Sequence, residues 1–201
     1  MQANNNNNNN NTIICLQEVS YATAGALHTF FANRQYHMVT GLYGNKFNGY
    51  MGVCLAWPTE RFATVDVDIC RLADVREDGW PVPPNHHDNN DDTTGWMTGA
   101  LQRVTAWWDA TWARVWSSHQ EPPTTWDDPP EHWALSERRF NVLVTATLRD
   151  KQTGQTFCIG NYHMPCAYYC PKAMTLHADL AARRVQWWAA QQDPSVPCIL
   201  A

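Results

Sequence analysis

The sequence predicts a mixed class, α+β or α/β, in which helices lie outside a β-sheet structure. Two observations predict it. Short apolar and β-branched runs recur along both halves of the chain, and two segments with helical spacing lie between such runs. The predicted strands span residues 12–19, 36–42, 52–57, 62–70, 139–148 and 156–162, with a last one beginning near residue 196.

Each strand prediction has a local reason. Residues 52–57 (GVCLAW) form a continuous apolar run that stops at Pro58, as a buried strand does. Residues 62–70 alternate between apolar and acidic side chains, which indicates a half-buried strand. The turn residues 150–154 (DKQTG) separate the next two runs, so these runs are expected to form a hairpin.

Two helices are predicted next to these strands. Residues 22–33 carry Leu27, Phe30 and Phe31 on one side. Residues 171–192 begin with a proline, which suits the first turn of a helix, and their apolar side carries Met174, Leu180 and Val185.

The domain prediction has two parts: a low-complexity asparagine tract at residues 1–11 and a domain at residues 12–201. Within the domain, residues 74–132 are rich in Pro, Asp, His and Trp and are interpreted as an insertion. A helix is expected inside it, because its apolar side chains recur at helical spacing: Met97, Leu101, Val104, Trp108 and Trp112. The tryptophans can stack on bases or sugars, but helical spacing is more typical of a core.

Bulk properties restrict the class of protein. The 201-residue chain carries a net charge of −5, which argues against a domain that holds nucleic acid by bulk electrostatics. Its seven cysteines lie mostly in apolar runs and are odd in number, so free thiols in a reducing compartment are expected. No run reaches the length of a membrane span, and no secretory signal is visible. The sequence therefore predicts an intracellular location, cytoplasmic or nuclear.

Two strand ends carry side chains suited to phosphate chemistry. Glu18 closes the first strand, where a divalent cation such as magnesium would offset the cost of a buried carboxylate. Asn161 and His163 close the 156–162 strand and leave it on the same face. Imidazole groups titrate near neutrality, so the His163 side chain can serve as an acid or base. Each residue also has a purely structural interpretation, with Glu18 solvated or capping a helix and His163 bonded to a carbonyl.

Further residues are candidates for phosphate contacts. Arg139 precedes a predicted strand, and Lys46 and Asn48 lie in a Gly/Asn-rich connection whose backbone amides are exposed. These three residues complete the candidate site.

Taken together, four segments resemble the endonuclease/exonuclease/phosphatase family, which includes pancreatic deoxyribonuclease. Residues 14–19 (ICLQEV) are similar to its Leu-Gln-Glu motif, and residues 49–55 (GYMGVCL) to its Gly-Tyr-x-Gly-Val-x-Leu strand. Residues 138–144 (RRFNVLV) resemble its Arg-plus-strand element, and residues 161–165 (NYHMP) its Asn-x-His/Tyr-x-Pro segment. The four occur in the family's order.

The resemblance implies a DNase I-like mixed β-sheet sandwich with outer helices. It implies that Glu18 binds Mg²⁺, or Mn²⁺, and that Asn161 and His163 act on the scissile phosphate. The expected substrate is a phosphate ester, either nucleic acid or a small phosphorylated molecule, and the expected reaction is hydrolysis of a phosphodiester or a phosphomonoester.

The sequence also departs from the family. The asparagine tract occupies the place of the family's first strand, and the Gly-Asp-x-Asn and Asp-His motifs do not appear before Ala201. A domain that is incomplete at both ends, with doubtful activity, is therefore expected. The alternatives are an inactive scaffold that binds a partner through the Trp-rich insertion, or a chain that does not fold alone.

Overall fold

The computed structural model describes residues 11–44, 51–76, 79–81 and 129–201. The asparagine tract up to residue 10 and most of the predicted insertion, including its predicted helix, lie outside these residues. By its contacts the chain divides into two units, and Pro81–Glu131 groups apart from the rest of the chain. The larger unit comprises residues 1–80 and 132–201.

Seven strands and three α-helices make up the described part of the chain. The strands are β1 (Ile14–Val19), β2 (Tyr36–Leu42), β3 (Gly52–Pro58), β4 (Phe62–Arg71), β5 (Val142–Asp150), β6 (Thr156–Tyr162) and β7 (Cys198–Leu200). The helices are α1 (Tyr21–Ala32), α2 (Pro129–Glu137) and α3 (Pro171–Gln192), and a 3₁₀ turn spans Leu72–Val75. The sequence predicted all of these strands and two of the helices within a few residues at their ends, but it missed α2.

The strands form two sheets. The first has the order β1-β3-β2 and is antiparallel throughout. The second has the order β4-β5-β6-β7, in which only the β6–β7 pair is parallel. Because β1 and β2 both run antiparallel to β3, they end at the same edge of their sheet, and this edge carries the candidate site.

Apolar faces of the two sheets pack against each other and form the central core. Val53, Leu55 and Trp57 of β3 are fully buried there against Val144 and Leu148 of β5. Burial of apolar surface of this kind is the main force that holds two sheets face to face. The double-sided burial of β3 explains why its sequence is an unbroken apolar run.

One helix covers the outer face of each sheet. Ala24 and Phe31 of α1 pack on the β1-β3-β2 sheet. Ala181, Val185 and Ala189 of α3 pack on the other sheet. The resulting order of layers is helix, sheet, sheet, helix, so the predicted mixed β-sandwich with outer helices is confirmed.

The described residues also bear on the predictions about cysteines and membranes. All seven cysteines are free thiols; Cys54 and Cys158 are buried, whereas Cys166 and Cys198 are exposed. Within the described residues, none of the helices has the length and apolar character that crossing a bilayer requires.

Candidate functional site

Glu18 lies at a distortion of β1 that turns its side chain outward. Between Leu16 and Val19 the first strand contains one more residue than its partner β3, which pairs through Cys54 and Gly52. Such a bulge re-aims a side chain, and bulges are common beside active sites. The φ angle of Glu18 is +56°, a conformation that costs a non-glycine residue free energy. The Glu18 carboxylate is consequently 62% exposed at the end of the strand.

His163 follows β6 and brings its imidazole to Glu18. The His163 Nε2 atom lies 3.5 Å from Glu18 Oε1, and the His163 side chain is only 18% exposed. The Asn141 side chain donates a hydrogen bond of 2.9 Å to the His163 carbonyl and so fixes the backbone at this point. The acid and the imidazole that the sequence predicted to share a site therefore lie side by side, on strands from different sheets.

Tyr43 is a third member of the site that the sequence did not single out. Its hydroxyl lies 2.7 Å from His163 Nδ1. Burial, together with smaller effects of the nearby Glu18 and Cys166 charges, raises the pKa of Tyr43 to about 12. The hydroxyl therefore keeps its proton at neutral pH and can donate it to Nδ1; in that arrangement the ring proton of His163 lies on Nε2, facing Glu18.

A signal for Tyr43 existed in the sequence. It follows β2 directly, and β2 ends at the same edge as β1. A prediction of the strand order would have placed the Tyr43 hydroxyl next to Glu18. Local periodicity, however, does not reveal which distant strands pair with each other.

Asn161 lies beneath this site and joins the two sheets. Its side chain is fully buried, and its amide donates hydrogen bonds of 2.9 Å to the carbonyls of Leu16 and Cys54. The Gln17 amide lies 3.5 Å from Asn161 Oδ1 and also donates a hydrogen bond to the Tyr162 carbonyl. As described, Asn161 thus presents no donor to a phosphate; it fixes the ends of β1 and β3 against β6.

Of the three candidate phosphate contacts, only Arg139 lies among the described residues. Arg139 donates a hydrogen bond of 2.9 Å to the Tyr169 hydroxyl, and its buried Nε has no hydrogen-bond partner. Lys46 and Asn48 lie outside the described residues, so their predicted contacts stay predictions.

The oxygen donors at Glu18 suit a divalent cation that takes few protein ligands. Within residues 11–44, 51–76, 79–81 and 129–201, no three His, Cys, Asp or Glu side chains form a ligand group. Mg²⁺, however, commonly uses one or two carboxylates and takes its other ligands from water and substrate phosphate. A single exposed carboxylate at a strand end fits this mode of binding.

Comparisons with known proteins identify the fold. No protein-family model and no curated protein matches the sequence. Among solved structures, the chain is similar to ANGEL2, a 2′,3′-cyclic phosphatase, in complex with adenosine-2′,3′-vanadate. The TM-score is 0.55 at 15% identity, over 94% of this chain and 38% of that one.

The chain is also similar to two bacterial structures. A mannosyl-6-phosphatase from Bacteroides thetaiotaomicron has a TM-score of 0.52 at 14% identity, over 94% of this chain and 49% of its own. An endonuclease/exonuclease/phosphatase family protein from the same organism has a TM-score of 0.52 at 14% identity, over 94% of this chain and 47% of its own.

This chain thus spans less than half the length of each of these solved structures. The match nevertheless covers nearly all of this chain. The resemblance found in the sequence motifs is confirmed at the level of architecture: the chain has the DNase I-like fold of the endonuclease/exonuclease/phosphatase family.

Proposed function

We propose that this domain hydrolyses phosphate esters at the Glu18–His163 edge with the help of a divalent cation, Mg²⁺ or Mn²⁺. The observation that carries the proposal is the 3.5 Å approach of His163 Nε2 to Glu18 Oε1. Glu18 lies at the end of β1 in the first sheet, and His163 follows β6 in the second sheet. The approach of their side chains therefore brings an acid and an imidazole together at one edge. The fold, and the phosphatases that share it, support the reaction class.

The proposed metal ligand in this chain is Glu18. A cation bound there would polarise a phosphoryl oxygen and neutralise developing charge. The exposed carboxylate leaves room for water and substrate beside it.

His163 is the proposed catalytic residue. Its Nε2–H is directed toward the space beside Glu18 and can donate a hydrogen bond to a non-bridging phosphate oxygen, where negative charge increases during attack by water. Tyr43 keeps the ring in this tautomer through the 2.7 Å bond to Nδ1. Asn161 and Asn141 are proposed as positioning residues, because they hold the backbone of the strand ends rather than facing the substrate.

An assay of phosphodiester and phosphomonoester hydrolysis tests the proposal. Bis(p-nitrophenyl) phosphate and p-nitrophenyl phosphate are incubated with the protein and Mg²⁺, Mn²⁺ or a chelator. We expect a metal-dependent rate that falls by about a hundredfold in Glu18→Gln and in His163→Ala, the lower range for loss of a catalytic acid or base. Tyr43→Phe should retain an intermediate rate.

The matched control is Glu60→Gln, which removes an exposed carboxylate from the turn between β3 and β4, away from the β1 end. Its rate should equal that of the wild type. A metal-dependent rate that is unchanged in both Glu18→Gln and His163→Ala would contradict the assignment of these residues.

A further inference from the structure

A loop that carries two exposed tyrosines follows His163 directly. Residues 164–170 connect His163 to the first turn of α3, and we refer to them as the tyrosine loop. Tyr168 is 76% exposed and Tyr169 is 40% exposed. Among the described residues, the Tyr168 ring stacks on no other aromatic ring. The faces of this ring are therefore available to a ligand.

The tyrosine loop is fixed at several points by burial and hydrogen bonds. Ala167 is fully buried, and its amide donates a hydrogen bond of 2.8 Å to the Pro165 carbonyl. The Cys170 amide donates a bond of 2.8 Å to the Ala167 carbonyl, and Arg139 donates one of 2.9 Å to the Tyr169 hydroxyl. A ring presented on a fixed backbone loses little conformational entropy when a ligand binds.

Contacts among side chains join Tyr168 to the Glu18–His163 edge. The Tyr168 hydroxyl donates a hydrogen bond of 4.0 Å to the Cys166 sulfur. The charge of Cys166 also acts on Tyr43, whose hydroxyl is 2.7 Å from His163 Nδ1. The hydrogen bond with Cys166 raises the pKa of Tyr168, and the Glu18 charge contributes in the same direction. The Tyr168 side chain is thus close enough to Glu18 for their charges to interact.

The chain itself also keeps Tyr168 near the catalytic edge. Tyr168 follows His163 by only five residues, so their Cα atoms lie within about 18 Å of each other. The hydrogen bond from Ala167 back to Pro165 folds the chain between them and shortens this separation. A ligand with a phosphate at His163 therefore has the Tyr168 ring on one side of it.

The charge of the protein favours stacking as the source of affinity for a nucleotide. The net charge is −5, so bulk electrostatic attraction to phosphates is not available. Stacking on an aromatic side chain uses the π-face of a base and needs no positive charge. Bases inside a duplex have both faces covered by their neighbours, so only an unpaired base can stack on a protein ring.

We propose that Tyr168 stacks on the unpaired nucleobase of a substrate whose phosphate lies at Glu18 and His163. This inference rests on the proposed function and adds the substrate class, a nucleotide or the end of a single strand. Tyr168 would then determine specificity, because it contacts the base and not the reacting atoms. A sugar phosphate has no flat π-face and would gain less from the ring.

Isothermal titration calorimetry with adenosine 5′-monophosphate and ribose 5-phosphate tests the inference. The two ligands share a sugar and a phosphate and differ in the base. Ca²⁺ is supplied in place of Mg²⁺, because both cations take oxygen ligands. We expect the wild type to bind adenosine 5′-monophosphate roughly 5 to 150 times more tightly, the range for one stacked base. Tyr168→Ala should lose this preference and bind ribose 5-phosphate as the wild type does.

Two variants serve as controls. Tyr168→Phe keeps the ring without the hydroxyl and should retain the preference for the base. Trp187→Ala removes a different exposed aromatic side chain, with 42% exposure, from α3. Position 187 lies about 24 Å along the helix axis from the start of α3, where the tyrosine loop ends. The preference of Trp187→Ala should equal that of the wild type.

Several results would overturn the inference: no binding by the wild type, equal affinities of the wild type for the two ligands, or a preference that persists in Tyr168→Ala. Equal losses for both ligands in Tyr168→Ala would also overturn it, since the ring would then contact the sugar or the phosphate. The same holds if Trp187→Ala loses the preference as Tyr168→Ala does.

Hydrolysis assays separate this inference from the proposed function. If the Tyr168-dependent preference for the base is found but no phosphate ester is hydrolysed, the proposed function fails and the stacking contact stands. Hydrolysis without a Tyr168-dependent preference for the base has the opposite meaning.

Discussion

Glu18 combines an unfavourable backbone conformation with an exposed carboxylate beside His163. The sequence identified Glu18 and His163 as candidates because each ends a recognisable strand. It could not show that a bulge in β1 redirects Glu18, since a bulge depends on the register with β3. Nor could it show that the hydrogen bonds of Asn161 are directed to the backbone of the opposite sheet rather than to solvent.

The positive φ of Glu18 leads to a prediction about stability. A non-glycine residue in this region costs roughly 1–2 kcal/mol, and glycine loses roughly 0.5–1 kcal/mol more backbone entropy on folding. Glu18→Gly should therefore unfold with a free energy about 0.5–1 kcal/mol above that of Glu18→Gln, while both variants lose most of the hydrolytic rate. Urea unfolding of the two proteins measures the difference.

Position 60 supplies the control for this comparison. Only Glu18 and Gln35 are non-glycine residues with positive φ in the described part of the chain, so glycine has no conformational advantage at Glu60. There Glu60→Gly should be less stable than Glu60→Gln. If glycine is the less stable residue at both positions, the backbone of Glu18 is not strained.

At the scale of elements, the close packing of α3 against β6 depends on a glycine. A Cβ atom at Gly160 would lie 2.5 Å from Cγ2 of Val185 and 3.3 Å from Cδ1 of Leu143. Val185 is buried and β-branched, so it has little freedom to move aside. Gly160→Ala should therefore push the helix from the sheet and destabilise the protein by about 1–3 kcal/mol, the usual cost of overpacking.

Gly25 is the matched position for this substitution. It lies in α1, and an added Cβ would meet nothing within 4 Å. Gly25→Ala should stabilise the protein by up to about 1 kcal/mol, because alanine has the higher helix propensity. Thermal unfolding of both variants compares them directly; equal shifts would mean that helix α3 does not press on Gly160.

Local sequence patterns predicted most helices and strands. The spacing of apolar residues and the turn residues that end an element can both be read from neighbouring positions. The strands β2 and β6 and the helix α3 begin and end where the sequence placed them. The helix α2 was missed because its sequence, PPEHWALSE, follows a proline-rich stretch and has almost no apolar side.

For the whole molecule, His177 links the layers and makes folding depend on pH. It is fully buried, with Nδ1 2.6 Å from the Tyr162 hydroxyl and Nε2 3.0 Å from the Ser136 carbonyl. Burial lowers the pKa of His177 to about 4; the charges of Arg139 and Arg71 lower it as well, against the opposing effect of the Ser136 hydrogen bond. The native state thus holds a neutral ring.

The pKa difference fixes the direction of the pH effect. An unfolded histidine binds its proton near pH 6.5, whereas the native ring resists protonation until about pH 4. Stability should therefore fall as the pH drops from 6.5 to 4, by up to roughly 3 kcal/mol from this group. Urea unfolding between pH 7 and pH 4 should show a steeper loss in the wild type than in His177→Gln.

The exposed His28, whose ring lies 2.9 Å from the Thr40 hydroxyl, provides the comparison. The free energy of unfolding of His28→Gln should fall with pH as steeply as that of the wild type, because this variant keeps His177. Carboxylates elsewhere titrate equally in all three proteins, so they do not affect the comparison. A slope in His177→Gln that matches the wild type would remove His177 as the cause.

The arrangement of the two sheets was the part of the whole fold that local patterns could not supply. Pairing β3 between β1 and β2, and bringing Asn161 against Leu16, requires contacts between residues far apart in the sequence. The resemblance to a known family predicted a sandwich with outer helices, and the similar solved structures confirmed that fold class. The strand order and the contact of Asn161 with Leu16 came from the structure. Local patterns alone predicted a mixed sheet with helices outside it, whereas the structure has two packed sheets.

Paramagnetic broadening by Mn²⁺ tests most directly whether Glu18 binds a cation beside His163. Nuclear magnetic resonance signals of the histidine rings are recorded while Mn²⁺ is added to the wild type, to Glu18→Gln and to Glu60→Gln. We expect the His163 ring signals to broaden before those of the buried His177 in the wild type and in Glu60→Gln, and we expect this preference to be lost in Glu18→Gln. Equal broadening of the two rings in the wild type, or an unchanged preference in Glu18→Gln, would contradict the binding of a cation by Glu18.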